Sequence, residues 1–120
     1  MRLLDTNDLG KKQVNRLLAK TGASTESHVV IRPPFYFERG NLELGQGAFI
    51  NSGCVFLDEA TIRIGRMAML GPQVRLCTTS HDINPQRRKD NDYIAPITVG
   101  DNAWIGAGAV VLPGVSIGHN

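Results

Sequence analysis

Aromatic residues make up only 6% of this 120-residue chain, a scarcity that favours a core of small residues. No apolar run approaches the roughly 18 residues needed to cross a bilayer as a helix. The opening Met-Arg-Leu-Leu-Asp-Thr-Asn-Asp lacks the uninterrupted apolar stretch of a secretion signal. Cysteine is scarce as well. Cys54 and Cys77 supply neither a disulfide framework nor a metal-ligand spacing, and a reduced, cytoplasmic setting is the expectation. The formal net charge is +2, too weak a bias to point to nucleic acid or an anionic membrane surface.

Glycine, by contrast, is abundant, with 13 residues, and it accompanies a repeat of six. Aliphatic residues, with one Phe, recur at Leu44, Ile50, Phe56 and Ile62. The register slips by two and resumes at Ile64, Leu70 and Leu76, then returns at Val99, Ile105, Val111 and Ile117. Small residues follow four positions later at Ala48, Cys54, Ala60, Ala68, Val74, Ser80, Ala103, Ala109 and Val115. A helix needs a period near 3.6 and an ordinary strand a period of 2. A period of six fits short strands separated by corners, three to a triangular coil of 18 residues, with stacked coils pairing strand on strand about 4.8 Å apart. The expected fold is therefore mainly β, a parallel β-helix over 35–120.

Residues 1–34 read differently, as a helical cap and lead-in. Val14, Leu17 and Leu18 share one helical face within Lys11–Thr21, and Gly22 offers a C-terminal stop. Pro33-Pro34 then forbids helix, and Phe35-Tyr36-Phe37 reads as an extended strand.

The repeat breaks once. After Ile64 the next coil should bring an equivalent residue at position 82, but it comes at Val99, an insertion of 17 residues. The polar stretch that interrupts it, a loop over 81–97, begins at His81. Long loops in a compact repeat usually carry function. A histidine where such a loop leaves a rigid scaffold is a candidate general base, because imidazole is both neutral and basic near pH 7. His28 and His119 lie outside the pattern, so no metal site is expected from the three histidines.

Thr79-Ser80-His81-Asp82, then Pro96-Ile97-Thr98-Val99-Gly100-Asp101-Asn102-Ala103-Trp104-Ile105-Gly106, resembles the maltose and galactoside O-acetyltransferase family of hexapeptide-repeat acyltransferases. Pro34-Phe35, Asn51, Leu57-Asp58 and Leu112-Pro113-Gly114 extend the likeness over nearly the whole chain. The resemblance implies a left-handed coil and a homotrimer with sites in the clefts between subunits. It implies acetyl-CoA as co-substrate, no metal, and a small hydroxyl acceptor, with His81 as base. It places Asn51, Asp58 and Glu59 toward the acceptor and Trp104 along the CoA cleft, with the backbone N–H near Ala107 at the thioester. Asn51 could donate to an oxyanion or bind a sugar hydroxyl. Asp58 or Glu59 could accept from the acceptor or orient the imidazole.

Two departures stand out. Phe37-Glu38 replaces the polar pair expected near a galactoside. The chain also stops within a coil at Ile117-Gly118-His119-Asn120, where the family continues, which reads as a truncated form, a shortened gene product or a chain whose end a partner covers. The expected activity is transfer of acetyl to a hydroxyl of a sugar or similar acceptor. The alternatives are an acetyltransferase acting on an antibiotic alcohol and a catalytically inactive trimeric scaffold.

Overall fold

The computed structural model describes residues 2–4, 22–81 and 92–120, with 2–4, 81 and 92 described through their backbone alone. The helix expected over Lys11–Thr21 lies outside the described residues. What is described is a parallel β-solenoid with three faces. The first face stacks Phe35–Phe37, Cys54–Leu57, Arg75–Cys77 and Val110–Val111, with Arg2–Leu4 added antiparallel at its edge. The second stacks Ser24–Thr25, Leu42–Leu44, Ile62–Ile64, Ile97–Val99 and Ser116–Ile117. The third stacks Val30–Ile31, Phe49–Ile50, Met69–Leu70 and Trp104–Ile105. Among the described residues the solenoid already includes Ser24–Thr25, before the boundary at 34 read from the sequence. Ser24–Thr25 and Val30–Ile31 already pair in parallel with the strands of the next coil.

Inward residues form columns in register. Phe37, Phe56, Leu76 and Val111 stack on the first face. Leu44, Ile64, Val99 and Ile117 stack on the second, and Ile31, Ile50, Leu70 and Ile105 on the third. Most of these side chains are fully buried, and each contributes about 1.5–3 kcal/mol of hydrophobic stabilisation. Ala48, Cys54, Ala68, Val74 and Ala103 fill the tight space beside them, as their size allows.

The corners divide into two kinds. Between the second and third faces, Leu44 to Ile50, Ile64 to Leu70 and Val99 to Ile105 each take six residues. Between the third and first, Ile50 to Phe56, Leu70 to Leu76 and Ile105 to Val111 also take six. Between the first and second, the spacing varies. Phe37 to Leu44 takes seven residues, Phe56 to Ile64 eight, Leu76 to Val99 twenty-three and Val111 to Ile117 six. The two-residue slip and the insertion of 17 therefore fall at the same corner. There the chain leaves the solenoid as an antiparallel ribbon of Thr79–His81 and Asp92–Ile94.

Candidate active site

The corner joining the first face to the second holds both fully buried polar side chains found among the described residues, Asp58 and Thr78. Their position follows from strand parity. Phe56 points inward, Leu57 outward and Asp58 inward again, and Leu76, Cys77 and Thr78 repeat the pattern. The repeat of six predicts the small residues Ala60 and Ser80 beside the core here. Instead Ala60 is half-buried and Ser80 exposed, because the wide corner lets the strand run two residues further before turning.

Asp58 corrects the expectation that it faces an acceptor. It is 0% exposed. Its Oδ1 accepts from the backbone N–H of Glu38 at 2.8 Å and Arg39 at 3.0 Å, and its Oδ2 from those of Gly40 and Asn41, each at 2.7 Å. The Asn41 amide returns a bond to the Asp58 carbonyl at 2.9 Å. Both carboxylate oxygens are spent on closing the corner of the preceding coil, and a buried carboxylate needs such donors.

Glu59, the next residue, keeps its side chain 29% exposed, and its Oε2 accepts from Arg39 Nε at 2.9 Å. Glu38 lies beside it. Partial desolvation raises the Glu38 carboxyl above its ordinary 4.5, and a hydrogen bond with Glu59 adds to the effect. One coil further along the same corner, the ribbon carries His81, paired in register with Asp92. Glu59 and the backbone of His81 are thus on one ridge of the prism.

Asn51 and Ala107 are on another. Asn51 follows Ile50 where the third face turns into the first. Its Oδ1 accepts from Ser52 N–H at 2.7 Å, which engages the amide oxygen. Gly71 stacks on Asn51 in register, and a Cβ on Gly71 would stand 2.7 Å from Ala107 N. Asn51 and Ala107 therefore share one ridge about 10 Å apart. From that ridge to the ridge of Glu59 runs the strand Cys54–Leu57, about 13 Å of extended chain.

Trp104 belongs to neither ridge. It stands outward on the third face, 75% exposed, stacked on Met69 at 51%. An open cleft of about 540 Å³ lies beside it, lined by Asn102, Ala103, Ile117 and His119 among others. A second groove of about 350 Å³ crosses the second face, between Glu43, Arg63, Arg66 and Asp101. Neither is lined by Asn51 or Glu59. The cationic run Arg87-Arg88-Lys89 lies outside the described residues.

His28 and His119 occupy the first and last turns of the corner between the second and third faces. At one strand spacing per coil they are about 19 Å apart, too far to share a metal ion. Burial pushes both thiols up, Cys54 and Cys77 alike, so neither is an activated nucleophile. The sequence reading missed Thr78 and Arg39. The inward parity of Thr78, two residues beyond Leu76, was a signal that could have found it.

Comparison with known proteins places this architecture. Residues 96–120 match the family model described as bacterial transferase hexapeptide (six repeats). The Escherichia coli galactoside O-acetyltransferase is 35% identical over 87% of this chain and 52% of its own length. The maltose O-acetyltransferase of Clostridium difficile superposes with a TM-score of 0.84 at 32% identity, over 94% of this chain and 62% of its own. A hexapeptide-repeat acetyltransferase of Vibrio cholerae, solved with acetyl coenzyme A, superposes with a TM-score of 0.83 at 31% identity, over 92% and 61%. The chain spans a little over half the length of the curated relatives it matches.

Proposed function

Since the chain belongs to the hexapeptide-repeat acyltransferases, the family of the maltose and galactoside O-acetyltransferases, we propose that it acetylates a hydroxyl of a sugar or similar small acceptor from acetyl-CoA. The observation that carries this reading is the corner itself. All the irregularity of a regular solenoid is gathered at one ridge, where a ribbon bearing His81 emerges beside Glu59.

In this reading His81 takes the proton from the acceptor hydroxyl as its oxygen attacks the thioester carbonyl. The developing oxyanion needs a donor aimed at it; the Ala107 N–H is the candidate at the thioester, and Asn51, about 10 Å away along the same ridge, is left to bind an acceptor hydroxyl. As the intermediate collapses, the imidazolium returns its proton to the departing thiolate of coenzyme A. Trp104 supplies an exposed ring and a neighbouring cleft to the donor side. Glu59 accepts from acceptor hydroxyls, with Arg39 holding its carboxylate in place.

These groups lie on two ridges of one prism, about 13 Å of strand apart, so one copy does not bring them together. A threefold arrangement would set the Asn51 ridge of one copy against the His81 ridge of the next. The exposed apolar residues Met67, Met69 and Trp104 fit such an interface. We therefore read the active form as a homotrimer with its sites between subunits.

Isothermal calorimetry with acetyl-CoA at micromolar to millimolar concentration tests the donor. Heat of binding is expected, and its absence from a folded trimer rejects the enzyme reading. His81→Ala should bind acetyl-CoA as the parent does and turn over about 10²–10⁴-fold more slowly. Parental turnover in that variant removes His81 from the mechanism.

A further inference from the structure

Thr78 sits at the root of the ribbon, is 0% exposed, and has every polar group engaged. Its N–H donates to the Leu57 carbonyl at 3.0 Å, and its Oγ1 donates to the same oxygen at 2.5 Å. That Oγ1 also accepts from Ala60 N–H at 3.0 Å, and its carbonyl accepts from Ala95 N–H at 3.0 Å. Leu57 and Ala60 bracket Asp58 and Glu59 in the preceding coil. Ala95 follows the returning strand of the ribbon. One buried residue thus joins the Glu59 corner to both arms of the excursion, three positions before His81.

The far side of the ribbon is held as well. Ser80 pairs with Tyr93 across it. The Tyr93 hydroxyl reaches over Gly114 in the next coil, where an added Cβ would stand 3.3 Å from it. The ribbon is therefore fixed to the coil before it through Thr78 and rests on the coil after it through Tyr93.

We propose that Thr78 is the positioning residue for His81. Its hydroxyl locks the root of the ribbon against the Glu59 corner, so that the histidine is presented in one place relative to that carboxylate. The proposal rests on His81 acting as the base. It goes beyond that reading by assigning the geometry of the base to a residue that touches no substrate. A catalytic group needs its support fixed to well under an ångström, and a displacement of about 1 Å costs on the order of 10²-fold in rate. A threonine with donor and acceptor both used supplies that fixity; valine has the same shape and supplies neither bond.

The test is Thr78→Val beside Thr78→Ser, read by amide hydrogen exchange and by steady-state kinetics on the full chain. In Thr78→Val the Ala60 amide loses its acceptor and should exchange about tenfold faster, the factor that corresponds to the net worth of one hydrogen bond. Exchange should also rise in Thr79–His81 and Asp92–Ile94, while Ile62–Ile64 stays protected. The turnover number should fall about 10²-fold with KM little changed, and Thr78→Ser should restore both readouts. Unchanged exchange in the ribbon overturns the proposal whatever the activity. Faster exchange with parental turnover overturns it too, by reducing Thr78 to a structural role. Parental turnover in His81→Ala instead sinks the underlying reading, and the exchange data then still decide the clamp. Should Thr78→Val fail to fold, Tyr93→Ala loosens the other flank without touching the core. It should raise ribbon exchange and lower the turnover number, and no change in either counts against the proposal.

Discussion

The corner between the second and third faces and the corner between the first and second solve the same problem by different means. The former is closed mainly by backbone, with Glu26 Oε1 and Asp101 Oδ1 each accepting from one N–H of a neighbouring coil, that of Gln46 at 3.0 Å and of Arg66 at 2.8 Å. One residue per coil takes a left-handed φ, in the column His28, Gly47, Met67, Asn102 and Asn120. The N–H groups of Gly47, Met67, Asn102 and Asn120 donate to carbonyls one coil back, at Ser27, Gln46, Arg66 and Asp101. Because the left-handed position itself bonds through its backbone, residue types as different as glycine, methionine and asparagine serve there, and the spacing never departs from six. The latter corner uses side chains. Asp58 gathers four N–H groups of the coil before it, and Thr78 gathers the coil before that ribbon. A corner held by side chains does not need a fixed chain length, so insertions of one, two and seventeen residues all fall there. The excursion leaves the prism at the corner stitched by Asp58 and Thr78, with the strands on either side still paired in register.

The comparison breaks most severely at Asp58. Asp58→Asn keeps the shape but turns one acceptor oxygen into a donor facing two backbone N–H groups. Leaving buried donors unsatisfied and removing a buried charge with its partners in place should cost about 3–5 kcal/mol. Urea denaturation of the variant is the measurement. A loss under about 1 kcal/mol would mean that this corner, too, closes through its backbone, and the contrast would be gone.

The backbone corners break in a different way. A Cβ on Gly65 would stand 2.6 Å from Asp101 N and from the Gly100 carbonyl carbon, atoms of the next coil that cannot step aside. Gly65→Ala should therefore cost about 1–3 kcal/mol as overpacking. Gly106→Ala, with nothing within 4 Å of the added carbon, should lie within about 0.5 kcal/mol of the parent. Thermal unfolding of the pair decides the point. Equal stabilities would show that coil stacking at these corners tolerates more separation than the 4.8 Å strand spacing allows.

Much of this was legible in the residues. The columns from Leu44 to Ile117, the slip of two after Ile62 and the insertion of 17 before Val99 all reappear as pairing registers. They were readable because a buried column admits only apolar residues, so period survives in sequence. The start of the solenoid was not, because Thr25 takes the place in the column that Leu44 holds in the next coil, and a polar residue there hides the aliphatic period. Asp58 was read as a ligand-facing residue because an aspartate at a turn looks the same whether it points out or in. Only the inward parity after Phe56 separates the two, and that parity depends on where the corner begins. The separation of Asn51 from Glu59 was likewise hidden. Spacing along the chain does not say which ridge of a prism a residue occupies until every corner has been placed.

The smallest effect that sharpens the comparison is electrostatic and belongs to the side-chain corner alone. Glu38 is partly desolvated there and shares a hydrogen bond with Glu59, so the folded state holds its proton more tightly than the unfolded chain does. A carboxyl raised in this way favours folding while it is protonated, and that contribution is lost as pH climbs through the range just above 4.5. The residue is half-buried, its carboxyl is only partly desolvated, and screening limits the effect to under about 0.5 kcal/mol. Glu38→Gln carries no titrating proton and should remove the dependence. Melting curves from pH 4 to 6 should therefore show the parent losing slightly more stability across that window than the variant does. Parallel curves would mean that Glu38 and Glu59 avoid each other in solution, and that Arg39 alone holds the Glu59 carboxylate at this ridge.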